Sequence, residues 1–204
     1  ELYILSKDKR VVRLGDVMNY AQRDFIQRCE EQLRTRGDIR IIVLKARQIG
    51  ISTIIEAIAF VMAMLYDDLQ AKIVSHEKDS AEGILGMTKR YWDTYPYNKF
   101  HEERYNGKTH LAWANKSDIN VSTAQNARTG RSSTIHFLHG SEVAFWNDPE
   151  TLMTGLDQSI PTYGLTCKFL ESTANGVGNY FHREYTQAMK GETDFEAVFY
   201  PWHE

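Results

Sequence analysis

Short apolar runs alternate along this chain with longer stretches in which apolar residues recur at helical spacing. Ile39–Leu44 (IRIIVL) is an almost unbroken apolar run of strand length. Such a run suits a central strand covered on both faces. After a loop, Ser52–Tyr66 carries Ile54, Ile58, Val61 and Leu65 in a stripe, with Ile55 and Met62 beside it, which predicts a helix. Ala71–Ser75 predicts a second strand, and Asp79–Tyr95 a second helix that ends near Pro96. Ile119–Thr123 and Thr134–Leu138 read as further strands, and Thr151–Ser159 as a helix. Thr166–Leu170 reads as a strand, Asn179–Met189 as a helix and Phe195–Tyr200 as a last strand. Strands alternating with helices predict an α/β domain whose central sheet is mostly parallel and flanked by helices. Ligands of such sheets sit at the carboxyl ends of strands. The segments just after each strand are therefore where chemistry is expected.

Composition narrows the class. The 204 residues fit one domain, without repeats, low-complexity tracts or a linker. With 42% hydrophobic and 25% charged residues the chain is globular and not disordered. The longest uncharged apolar run, Ala57–Leu65, is too short to span a bilayer, and no signal peptide is evident. Cys29 and Cys167 lie far apart and form no metal pattern, which points to a reducing compartment. The chain opens at Glu1 and stops just after the apolar run Ala197–Trp202, so it reads as a piece of something longer.

A net charge of −3 argues against a basic DNA-coating protein. The distribution is uneven: residues 1–50 carry eleven Lys and Arg against seven Asp and Glu, and residues 134–204 carry three against ten. The basic first quarter could meet phosphates, or could be an ordinary solvated surface.

Five segments could carry chemistry. The first follows the first strand: Lys45-Ala46-Arg47-Gln48-Ile49-Gly50-Ile51-Ser52-Thr53 opens directly into a helix. The free N–H groups and dipole of a helix start attract anions. Against the phosphate-loop pattern G-x-x-x-x-G-K-[ST], Gly50 and Ser52 fit, Lys45 stands at the first glycine and Ile51 at the usual lysine. The cationic charge has moved to Lys45 and Arg47 at the loop's start, and Ser52 stands where a hydroxyl ligates Mg²⁺. The second segment ends a later strand in His139-Gly140-Ser141-Glu142. Glu142 is placed to orient or deprotonate a water attacking a γ-phosphate, and Ser141 stands where an Asp would hold Mg²⁺. His136 and His139 read as alternating sheet residues rather than ligands. The third, Glu171-Ser172-Thr173-Ala174-Asn175-Gly176, sets small polar residues at a strand end, where they could sense a γ-phosphate. The fourth is Gln22, whose amide can match an adenine edge. The fifth is Arg131, beside Gly130, a guanidinium able to reach a phosphate. Each of these also has an ordinary reading as a turn or a solvated side chain.

In order and spacing, KARQIGIST, HGSEVAFW, ESTANG, the upstream Tyr20-Ala21-Gln22 and the closing Tyr200-Pro201-Trp202 resemble the ATPase domain of the large terminase subunit, the DNA-packaging motor of tailed bacteriophages. The resemblance runs from about Gln22 to Trp202. It implies a P-loop NTPase fold of the RecA-like, additional-strand catalytic-glutamate type, with residues 1–204 as a single motor domain. ATP and Mg²⁺ would be its cofactors. It implies that Gln22 reads adenine and that Lys45 and Arg47 contact phosphates. Gln48, Gly50, Ile51, Ser52 and Thr53 would complete the loop. Glu142 would be the catalytic carboxylate, Arg131 an arginine finger, and Ser172, Thr173 and Asn175 the coupler between hydrolysis and movement. Mg²⁺ would be held by Ser52 through the nucleotide, with Ser141 or Glu142 acting on it indirectly.

The implied partners are double-stranded DNA, the procapsid portal protein and the small terminase subunit. The chain would be monomeric alone, ring-forming on the portal, and found in the host bacterial cytoplasm without a membrane. The family's C-terminal nuclease domain has no residues here. The acids of the last third, Asp148, Glu150, Asp157, Glu171, Glu184, Glu192, Asp194 and Glu196, read as a solvated face, so no DNA cleavage is expected. Two other readings stay open: a non-hydrolysing nucleotide- or DNA-binding scaffold, favoured by Ile51 and Ser141, and one core of a helicase-like ATPase.

Overall fold

The computed structural model describes residues 1–6, 8–125 and 134–202. Two short strands, β1 (Tyr3–Leu5) and β2 (Val11–Arg13), pair antiparallel and lead through one helical turn, α1 (Leu14–Val17), into α2 (Tyr20–Arg36). Then follow β3 (Ile39–Lys45), α3 (Ile51–Leu65), β4 (Gln70–Ser75) and α4 (Lys78–Thr94). Next come β5 (Glu103–Asn106), β6 (His110–Trp113), β7 (Asp118–Thr123) and β8 (Phe137–Ser141). The last elements are α5 (Pro149–Asp157), β9 (Cys167–Ser172), α6 (Tyr180–Met189) and β10 (Glu196–Tyr200).

Eight strands form one sheet in the order β10-β3-β9-β8-β4-β7-β6-β5. The six from β10 to β7 run parallel, and β6 and β5 complete the sheet antiparallel. The α/β reading with a mostly parallel sheet therefore holds. Strand β9 lies between β3, which leads into the loop, and β8, which leads to Glu142. β5 is exposed at every residue, and its pairing with β6 is interrupted by a register shift between Glu103 and Tyr105.

The middle strands show why an apolar run became a strand here. Every residue of β8 and β9 is buried, and every residue of β3 except Leu44. Period-two alternation sorts their side chains to two cores. Ile41, Val43, Phe137 and Phe169 join Phe25 of α2 and Phe60 of α3 on one face. Ile42, Leu138 and Leu170 join Trp146, Leu152 and Leu156 near α5, and Phe181 of α6, on the other. Among the described residues no helix is long and apolar enough to cross a membrane.

One strand is displaced from its expected place. The apolar pattern predicts Thr134–Leu138, whereas β8 is Phe137–Ser141. His139, Gly140 and Ser141 look like a polar exit from a strand. Inside the sheet, however, His139 is fully buried against carboxylates, and Gly140 has no room for a side chain. A Cβ at Gly140 would lie 2.9 Å from Leu170 Cδ2 and 3.0 Å from Val143 Cγ2. The helix α2, the β1–β2 pair and the β5–β6 pair are further elements that the apolar pattern does not predict.

Candidate nucleotide-binding site

The register of the parallel strands brings their carboxyl ends level. Leu44 lies opposite Ser172, Ser141 opposite Glu171, and Ser75 opposite Ser141. The sequence-predicted loop leaves β3 at this rim and enters α3 at Ile51. Two residues turn it by taking left-handed backbone, Gln48 with φ 59° and Gly50 with φ 81°. α3 begins with no side-chain cap and no acid in its first turn, so its leading N–H groups stay available to an anion.

The loop is held from behind by α2. Asn19 and Gln22 cap that helix reciprocally: the Gln22 N–H donates to Asn19 Oδ1, and the Asn19 N–H donates to Gln22 Oε1. The same side chains reach the loop. Asn19 Nδ2 donates to the Ile49 carbonyl at 2.9 Å, and Gln22 Nε2 donates to the Gly50 carbonyl at 2.9 Å. A side chain at Gly50 is disfavoured on two counts. Its φ is one that L side chains rarely adopt, and a Cβ would lie 2.4 Å from Gln22 Nε2. Gly50→Ala is expected to destabilise the domain by at least about 1 kcal/mol and to weaken nucleotide binding at the loop. Denaturant unfolding and nucleotide titration of the variant check both effects.

Ile51 and Thr53 reach the site through backbone alone. The Ile51 side chain is fully buried in the core. The Thr53 hydroxyl faces Met87 Sδ on α4, and the Thr53 carbonyl accepts from the Tyr91 hydroxyl. Arg47 and Gln48 are exposed on the loop.

Below the loop lies a buried charge cluster. Lys45, the last residue of β3, sets its ammonium 3.1 Å from Glu142 Oε1 and 3.0 Å from Glu171 Oε2. The hydroxyls of Ser52 and Ser141 both donate to Glu171 Oε1, each at 2.8 Å. His139 Nε2 stands 3.4 Å from the same oxygen, and His139 Nδ1 is 2.7 Å from Glu56 Oε1. Glu56 in turn accepts from the Thr88 hydroxyl at 3.0 Å. Burial opposes charge on all three central groups, yet they sustain one another. Burial would raise the pKa of Glu171, but His139, the Lys45 charge and the Ser52 hydrogen bond pull it down to about 2. Burial would neutralise His139, but Glu171 and Glu56 raise its pKa to about 9. Lys45 is likewise held above its ordinary value, because Glu171 and Glu142 outweigh its burial.

Glu171 is thus a correction to the reading of the late acids as a solvated face: it is completely buried. The sequence signal is present. Glu171 directly continues the apolar strand Cys167–Leu170, where a solvated carboxylate has no place. His139 sits on β8 as expected, whereas His136 lies just ahead of that strand, where its Nδ1 accepts from the Gln70 N–H.

Glu142 leaves β8 in left-handed backbone, φ 55° and ψ 44°. For a residue with a Cβ that conformation is costly, and such residues concentrate at functional sites. Its Oε2 accepts from the Thr173 N–H at 3.3 Å and from the Thr173 hydroxyl at 3.2 Å. The Ser172 hydroxyl lies 3.5 Å away and also accepts from the Ala144 N–H. Asn175 Nδ2 donates to the Ala144 carbonyl. All three expected coupling residues therefore touch Glu142 or the turn that follows it. Lys45, Arg47, Gln48, Glu142 and Thr173 line a cleft of about 380 Å³ with His76, Ser80 and Phe145. Two larger hollows, about 780 Å³ along α5 and about 550 Å³ beside α2 and α3, are lined by none of these five. Arg131 lies outside the described residues.

No protein-family model matches the chain, and no curated protein matches it. Solved structures do. The chain is similar to the large terminase of bacteriophage HK97, with TM-score 0.69 and 14% identity over 96% of this chain and 40% of that one. It is similar to the large terminase ATPase domain of Thermus phage P74-26, with TM-score 0.66 and 17% identity over 85% of this chain and 79% of that one. It also matches the large terminase of a thermophilic bacteriophage in complex with ADP, with TM-score 0.60 and 11% identity over 85% of this chain and 43% of that one. The chain spans less than half the length of the whole large terminases it matches. Its fold, an eight-stranded, mostly parallel sheet flanked by helices, is similar to that of these large terminase ATPase domains.

Proposed function

We propose that this chain hydrolyses ATP to drive double-stranded viral DNA into a procapsid, as the motor domain of a large terminase subunit. The observation that carries the reading is the convergence of Lys45, Glu142 and Thr173 at level strand ends with Ser52 in the first turn of α3, within a fold similar to that of large terminase ATPase domains. Lys45 and Arg47 bind the phosphates together with the N–H groups that open α3. The second hydrogen of the Gln22 amide and its spare acceptor lone pair remain for adenine, while its other groups clamp the loop. Glu142 orients and deprotonates the attacking water. Ser172, Thr173 and Asn175 pass the state of Glu142 on to β9 and the segment after it.

The residues present also fit Mg²⁺. Ser52 gives its hydroxyl hydrogen to Glu171, which leaves the oxygen lone pairs free for an ion. When bound, Mg²⁺ would neutralise charge on the phosphate oxygens. The motor would work on the portal with the small subunit, in the host cytoplasm, as a ring of copies. Residues 1–204 are then one motor domain, and nuclease chemistry belongs elsewhere in the family's large subunit.

Phosphate release with ATP and Mg²⁺, with and without duplex DNA, tests the reading. Release stimulated by DNA supports a translocating ATPase. Nucleotide binding without release would instead favour the scaffold reading. Arg131 is assigned the finger that completes a neighbouring subunit's site, eleven residues ahead of Glu142. Arg131→Ala subunits and Glu142→Gln subunits are each expected to be inactive alone. Activity is expected to return when the two are mixed in one assembly, because some interfaces then pair an intact Glu142 with an intact Arg131. No return at any ratio, with assembly demonstrated, would remove the trans-acting role.

A further inference from the structure

We infer that Glu171, one strand away from the usual position, supplies the carboxylate that Ser141 lacks, fixing the Ser52 hydroxyl and a water on the nucleotide's Mg²⁺. The inference rests on the ATPase reading and adds to it a residue that the loop and strand-end motifs do not assign.

The argument begins with register. Ser141 at the end of β8 and Glu171 on β9 are paired directly across two neighbouring strands. A carboxylate lost from one strand end can therefore be replaced from the other with little displacement. Contacts agree with that exchange, since the Ser141 hydroxyl donates to Glu171 Oε1 at 2.8 Å. The Ser52 hydroxyl donates to the same oxygen at 2.8 Å. A hydroxyl has one hydrogen and two lone pairs. Committing the hydrogen to Glu171 orients both lone pairs of Ser52 away from the carboxylate, which is the state a metal-ligating hydroxyl requires.

The second carboxylate oxygen is the independent observation. Glu171 Oε2 is buried and receives no hydrogen bond of normal geometry among the described residues. Among the described residues, the charged group it meets is the Lys45 ammonium, at 3.0 Å. Once Lys45 turns to a phosphate, Oε2 is an open acceptor beside Ser52, suited to the hydrogen of a water on the ion. His139 and Glu56, with Thr88 behind them, are positioning residues that hold the carboxylate in place from the far side. Groups that orient a metal ligand typically change metal affinity about 10–100-fold when removed.

The test titrates the chain with a fluorescent ATP analogue in Mg²⁺ and again in EDTA, and takes the ratio of the two affinities. Circular dichroism and thermal melting confirm that each variant is folded. Glu171→Gln is expected to lower the ratio about 10–100-fold, and Ser52→Ala comparably. The double variant should lower it by less than the two single effects combined, because part of what Glu171 does is done through Ser52. Glu171→Asp keeps the charge beside Lys45 and His139 but withdraws the carboxylate from Ser52. It serves as the second variant if the first does not fold, and it should lower the ratio as well. A merely structural Glu171 would shift both affinities together and leave the ratio as in the parent, which would overturn the inference. So would additive losses in the double variant. If the parent itself gains nothing from Mg²⁺, the ATPase reading falls and takes this inference with it. A parental gain that the Glu171 variants retain in full removes the inference alone.

Discussion

Glu142→Gln is expected to cut ATP turnover by about 10²–10⁴-fold, the range that general-base catalysis contributes. The substitution keeps the size of the side chain and an oxygen for Thr173 to donate to, but it removes basicity. Glu142 is suited to the role in three respects. Its left-handed backbone directs it out of β8 at the rim of the cleft. Its side chain is 27% exposed, enough to meet the attacking water, whereas Glu171 is covered by Lys45. Its partners, Lys45 and Thr173, come from two other strand ends, so its position is fixed before any ligand arrives. Steady-state phosphate release, set beside nucleotide titration of the same variant, measures the effect. Turnover equal to the parent's would make Glu142 a bystander.

Lys45→Ala is expected to fail twice, in binding and in folding stability. Ile51 occupies the usual lysine position but is buried in the core, so the loop depends on Lys45 and Arg47 for side-chain charge. Lys45 is also the cation between Glu142 and Glu171, with a side chain only 7% exposed. Removing it leaves Glu171 buried with less compensation. Breaking a buried pair in this way costs about 3–5 kcal/mol. Arg47→Ala is the control, because Arg47 is exposed on the loop and its loss should weaken binding with little change in stability. Denaturant unfolding separates the two effects from nucleotide affinity. If both variants bind ATP as the parent does, the displaced-cation reading is wrong.

The parts of this fold that can be read from the sequence are those where apolar periodicity is strong. β3, α3, α4 and α6 lie within a residue of their expected limits, and in β3 and α3 Ile, Val and Met fill many of the buried positions. α2 escapes the apolar pattern although it has seventeen residues. Two of its five buried positions are Gln22 and Gln32, which leaves its apolar stripe too thin to recognise. The capping pair Asn19 and Gln22 is the sequence signal for that helix. The sequence alone offers Gln22 only as an adenine contact. Its observed hydrogen bonds, to Asn19 and Gly50, add a structural role that one sequence position cannot reveal.

The site divides along the same line. Lys45, Ser52, Glu142 and Thr173 follow or close strands and can be found by looking at strand ends. Glu171 lies inside a strand, and its partners Lys45, Ser52, His139 and Ser141 come from three other elements. Only the order of strands in the sheet brings them together, and no local pattern encodes that order.

The exposed, bulged strand β5 limits how copies of this chain can meet. An open sheet edge offers unpaired N–H and C=O groups to any passing strand and so invites aggregation. β5 is four residues long, carries Glu103 and Arg104, and breaks register with its neighbour between Glu103 and Tyr105. Short length, charge and a bulge each discourage strand addition. This edge is therefore a poor template for a second sheet. Copies that associate there must do so through side-chain surfaces, which can be made and released reversibly, and not by zipping their sheets into a continuous fibre.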